Sequence, residues 1–81
     1  MPEEYKIIVN GTEHVVRSDI VTFEEVIDLA FPGHPSGDNI VYSVTFEKAR
    51  SEPHHGTLAP GGKVTVKEHG TIFDATRTDR S

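Results

Sequence analysis

Tyr5-Lys6-Ile7-Ile8-Val9-Asn10-Gly11-Thr12-Glu13-His14-Val15-Val16 decides the fold. A run rich in β-formers leads into Asn10-Gly11, and a second extended run leads out of it. Asn-Gly is the preferred pair for a two-residue type I′ turn, because both central residues need positive φ. A two-residue turn also sets the register: Val9 faces Thr12, Ile7 faces His14 and Tyr5 faces Val16. One face then carries Tyr5, Ile7, Val9 and Val16, and the other Lys6, Ile8, Glu13 and Val15. The first face is the more apolar and is expected to cover the core. An isolated hairpin is marginal in water, so the rest of the chain must supply a second layer.

That layer begins at Thr22-Phe23-Glu24-Glu25, which reads as a capping box: the Thr22 hydroxyl accepts from the Glu25 amide, and the Glu25 carboxylate reaches back. Phe23, Val26, Ile27, Ala30 and Phe31 follow at helical spacing as one apolar stripe. Pro32-Gly33 stops the helix after barely three turns. So short a helix is marginal alone and must pack on the sheet. Pro32–Asn39 is a turn-rich loop. Ile40–Phe46 alternates, with Ile40, Tyr42, Val44 and Phe46 on one face and Val41, Ser43 and Thr45 on the other.

Lys48–Thr57 is polar, contains Pro53 and Gly56, and reads as loop; Leu58 reads as an isolated plug at the core edge. After the Pro60-Gly61-Gly62 turn, Lys63–Lys67 alternates as a late strand with Val64 and Val66 inward. Glu68-His69-Gly70 reads as a break. Thr71-Ile72-Phe73 is either a further strand or a tail anchored by Phe73. The segment from Asp74 onward is polar and reads as a mobile end. The expected division is a domain over 1–73 and a flexible tail over 74–81.

The ordered elements, ββαββ, give an α+β class: a mixed sheet packed on one helix, with the late strand inserted centrally and parallel to the first, as in a β-grasp, ubiquitin-like roll.

Composition narrows the function classes. Eighty-one residues suffice for one domain, and a chain of this size buries only about 60% of its unfolded surface. Eight Lys and Arg against 13 Asp and Glu give a net charge of −5, with the basic residues scattered. No basic stripe marks a nucleic-acid surface. Cysteine is absent, which excludes disulfides, thiolate nucleophiles and cysteine metal sites, and fits a reducing cytoplasm. No run approaches the ~18 apolar residues of a membrane span, and the first residues carry no leader pattern. The expectation is a cytoplasmic chain.

Several phrases resemble the bacterial multiubiquitin-type domains, a β-grasp family related to ubiquitin. They are Ile7-Ile8-Val9-Asn10-Gly11, Thr22–Ile27 running into Leu29-Ala30-Phe31-Pro32, Tyr42–Phe46, Thr57–Val66, and Gly70–Phe73 with Thr78-Asp79-Arg80-Ser81. The likeness covers Tyr5 to Ser81. The portion Leu58…Gly62-x-Val64-x-Val66 is also similar to the sulfur-carrier proteins of thiamine and molybdopterin synthesis. The resemblance implies a protein modifier whose C-terminal carboxylate is adenylated by an activating enzyme and passed on. It further implies a conjugating enzyme, a peptidase and protein targets as partners. Those relatives end in Gly-Gly; this sequence ends Thr78-Asp79-Arg80-Ser81, and Gly61-Gly62 lies inside a turn. Trimming, activation as it stands, and a non-conjugated interaction module all remain open.

Two candidate sites follow. Thr76, Arg77, Thr78, Asp79, Arg80 and Ser81 form the conjugation or processing tail. Ile8, Val15 and Val41, ringed by Lys6, Arg17, Ser43 and Lys67, form an exposed apolar face of the kind that marks partner surfaces. No catalytic or cofactor site is expected. His54-His55 point apart in extended chain and lack the spacing of metal ligands. No Gly-x-Ser-x-Gly elbow is present, and Pro60-Gly61-Gly62 is followed by neither Lys-Ser/Thr nor a helix.

Overall fold

The computed structural model describes residues 4–33 and 40–79. The hairpin forms as read. β1 (Tyr5–Val9) and β2 (Thr12–Val16) pair antiparallel, with Val9 opposite Thr12, Ile7 opposite His14 and Tyr5 opposite Val16. Asn10 (φ 51°) and Gly11 (φ 81°) both take the left-handed region that the turn requires. Ile7, Val9 and Val16 are buried and Tyr5 is half-buried.

A short strand not foreseen, β3 (Ile20–Thr22), leads into α1 (Phe23–Ala30). Thr22 is the N-cap, its hydroxyl accepting from the Glu25 N–H at 3.2 Å. Glu24 and Glu25 sit in the first turn, where the helix dipole favours carboxylates. The helix is shorter than the three turns expected. Its last backbone bond runs from the Phe31 N–H to the Ile27 carbonyl at 2.8 Å, and Gly33 (φ 71°) turns the chain away. Phe23, Val26 and Ile27 are buried, and Ala30 and Phe31 are half-buried. Of the loop expected over Pro32–Asn39, residues 34–39 lie outside the described residues.

β4 (Ile40–Glu47) faces the helix through Tyr42, Val44 and Phe46, as its alternation predicts. The tilted Phe31 and Tyr42 rings lie 5.6 Å apart between centroids, tying the end of the helix to the strand.

Three expectations change. First, the segment read as loop up to Thr57 ends in β5 (Gly56–Leu58), which pairs with β4 so that Leu58 lies opposite Val44. Leu58 is a buried strand residue, and Ala49 upstream is also fully buried. Three residues are too few for a visible alternation. Second, the late strand β6 (Lys63–Thr65) does not join the main sheet. It pairs antiparallel with β3 as a separate two-stranded sheet, turning Val64 and Val66 inward.

Third, the strand inserted parallel to β1 is β7 (His69–Asp79), the longest element. The main sheet therefore runs β2-β1-β7-β4-β5, a mixed sheet with α1 packed on one face: a ubiquitin-like β-grasp. Gly70 is a bulge rather than a break. Lys6 pairs His69 and Ile7 pairs Thr71, so Gly70 is the extra residue, and its φ of 100° suits glycine alone. β7 passes Phe73, where the sequence ends the domain, and residues 74–79 pair with β4 to the register Ile40 opposite Asp79. The core-facing side of β7 is Thr71, Phe73 and Ala75, only one of them a large apolar residue, so its pattern is weak in sequence.

Candidate docking face and the end of the last strand

The pleat sends alternate residues of each strand to the face away from α1. Across the middle of that face, strand register sets Glu13, Ile8, Ile72 and Glu47 in one row. Asp74 and Thr45 form the next row toward the far end of β7, while Lys6 and Val15 lie in the row before. Ile8 and Ile72 are half-buried neighbours, and Val15 is 49% exposed. Ile8, Val15 and Lys6 are thus brought together as read from the sequence. Arg17, just past the end of β2, is exposed at the edge of this group.

Val41 is not part of it. It pairs with Thr78 while Ile8 pairs with Ile72, which places it roughly 20 Å along the sheet, with Ser43, Thr45, Asp74 and Thr76 between. Ile72 is the aliphatic that sequence reasoning missed. The signal was the alternation Thr71-Ile72-Phe73, which puts Ile72 outward once Phe73 is inward.

The second candidate, the segment Thr76–Ser81, begins as strand. Thr76, Arg77 and Thr78 are exposed and, with Asp79, pair with Ser43 through Ile40. Arg80 and Ser81 lie outside the described residues. On its other side β7 loses its strand neighbour when β1 ends at Val9. There Asn10 takes over with its side chain. Its Nδ2 donates to the Ala75 carbonyl at 3.1 Å, its Oδ1 accepts from the Ala75 N–H at 2.8 Å, and its own N–H donates to the Phe73 carbonyl at 3.0 Å. A single carboxamide thus imitates one more residue of strand beside Ala75.

The parallel β1–β7 pair in the centre, the single helix across one face and the hairpin opening are shared features of ubiquitin-like domains. A family model described as multiubiquitin matches residues 5–79. The chain belongs to the multiubiquitin family. No curated protein and no solved structure matches this multiubiquitin domain. The matched span ends at the last residue of β7, so the family pattern includes residues 74–79 within the domain.

Several polar groups of the multiubiquitin domain have partners that tie its elements together. Thr71, fully buried, donates from Oγ1 to the Lys48 carbonyl at 2.9 Å and accepts from the Lys67 N–H at 3.0 Å, tying two connections to the central strand. Glu24 Oε2 accepts from the Gly61 N–H at 3.1 Å, fastening the diglycine turn to the helix. His54 directs Nδ1 at the Ala49 carbonyl, 2.9 Å away. Among the described residues no group of three His, Asp or Glu is arranged to hold a metal, and no helix is long and apolar enough to cross a membrane.

Proposed function

We propose that this multiubiquitin domain is a bacterial ubiquitin-like protein modifier that works in the cytoplasm by being attached through its C-terminal end. The observation that carries the reading is the course of β7. It passes through the core beside β1 and ends at Asp79, where residues 76–78 are exposed and β4 is the neighbouring strand. The rigid half of the strand holds the domain, and the outer half presents its end. Freeing residues 76–79 from β4 breaks a few backbone hydrogen bonds, each worth about 1 kcal/mol net. That leaves an extended segment able to enter a narrow enzyme site.

In this reading an activating enzyme joins the terminal carboxylate to the α-phosphate of ATP, releasing pyrophosphate. A conjugating enzyme then passes the acyl group to a target amine as AMP leaves. In this reading a peptidase first hydrolyses a bond within Thr76–Ser81, or the end is activated as it stands. The Ile8, Ile72 and Val15 face serves as the docking surface for these enzymes.

A second reading, a non-conjugated interaction module, is favoured by one observation: residues 74–79 are paired in the sheet instead of hanging free. An N-terminally tagged chain expressed in its source organism separates the two. Higher-mass species on a denaturing gel that disappear on deletion of Thr76–Ser81, with a junction peptide identified by mass spectrometry, support the modifier. Free chain alone, with binding that survives the deletion and is lost in Ile8→Asp, replaces it with the interaction module. A terminal thiocarboxylate would mark a sulfur carrier instead.

A further inference from the structure

The outer sheet face carries charge in an uneven arrangement. Ile8 and Ile72 sit side by side, yet the residue across from Ile8 on β2 is Glu13, and the residue across from Ile72 on β4 is Glu47. Asp74 follows Ile72 on the same face of β7. Glu13, Glu47 and Asp74 are exposed, and among the described residues none of the three makes an ion pair or a side-chain hydrogen bond. Lys6 is the cation nearest in register, one row below. An aliphatic centre bounded on three sides by uncompensated carboxylates repels an acidic partner and attracts a basic one, because the like charges make the local potential negative and a cation relieves their mutual repulsion.

We infer that the Ile8–Ile72 face docks a basic segment of a partner protein, one that sets an aliphatic side chain between lysines or arginines. The aliphatic group covers the two isoleucines, and the flanking cations meet Glu13 and Glu47 across the sheet and Asp74 along it. The inference rests on reading this sheet as a docking face and adds the chemistry of what docks. The carboxylates act on encounter rate and partner choice, while the isoleucines hold the complex.

The test is an amide-NMR titration of the folded domain with three short capped peptides. One has isoleucine flanked by lysines, one has isoleucine flanked by glutamines, and one has serine flanked by lysines. The expected result is that only the first shifts the amides of Ile8, Glu13, Glu47, Ile72 and Asp74. Its affinity should fall about tenfold in the Glu13→Gln, Glu47→Gln, Asp74→Asn triple variant, which changes exposed side chains only, and added salt should weaken binding to the unmodified domain more than to the variant. Equal binding of the glutamine-flanked peptide would overturn the charge assignment and leave the docking face standing. Equal binding of the serine-flanked peptide, or undiminished binding to Ile8→Ser, would reduce the effect to diffuse attraction and overturn the site. No shift with any peptide at millimolar concentration would overturn both the inference and the docking face beneath it.

Discussion

The two halves of β7 belong to one strand and live under different constraints. Residues 69–75 have β1 or the Asn10 carboxamide on one side, with β4 joining on the other from Ile72, and they bury Thr71, Phe73 and Ala75 under the helix. Residues 76–79 have β4 as their strand neighbour, and Thr76 through Thr78 are exposed. Secondary structure is therefore a poor guide to local stability here. What separates the halves is burial and the number of flanking strands, which set the free energy of local opening.

The largest way to break the comparison is at Phe73. Phe73→Ala should cost about 3–5 kcal/mol, enough to unfold much of so small a domain, as read by urea denaturation. Thr71→Val comes next. It keeps the shape and leaves the Lys67 N–H and the Lys48 carbonyl without their buried partner, so the midpoint should drop by the equivalent of about 1–3 kcal/mol. If the loss were negligible, the hydroxyl bridge would not be a support of the inner half.

Asn10→Gly sharpens the boundary itself. Glycine keeps the positive φ of the turn and removes the carboxamide, so stability should fall by about 1 kcal/mol. The Ala75 amide should lose hydrogen-exchange protection while Phe73 keeps it; equal loss at both would mean that the boundary is not at Asn10. The smallest effect belongs to the outer half. Thr76→Ala and Thr78→Ala should each change stability by less than about 0.5 kcal/mol. A larger value would show that the ribbon carries part of the domain's stability and is not readily freed.

Local signals made part of this architecture legible. Asn10-Gly11 set the turn and thereby the whole β1–β2 register, Thr22 and Glu25 marked the start of the helix, and alternation over Ile40–Phe46 oriented β4. The candidate face was legible in part for the same reason: Lys6, Ile8 and Val15 share a face because the turn sets their parity. Val41 was assigned to it wrongly because parity says which face a residue is on and nothing about where along the sheet it falls.

The sequence by itself determined the class, α+β with a hairpin first and one capped helix, because these depend on contacts within a few residues. Only the tertiary structure decided that β7, not β6, lies beside β1, that Leu58 belongs to a strand, and that Ile72 completes the outer face between Glu13 and Glu47. Those outcomes depend on pairings between residues distant in the chain, such as Ile7 with Thr71 and Asn10 with Ala75. A threonine and an alanine become core residues there because distant strands, β1 beside Thr71 and β4 beside Ala75, set them on the buried face, and no local pattern encodes that placement.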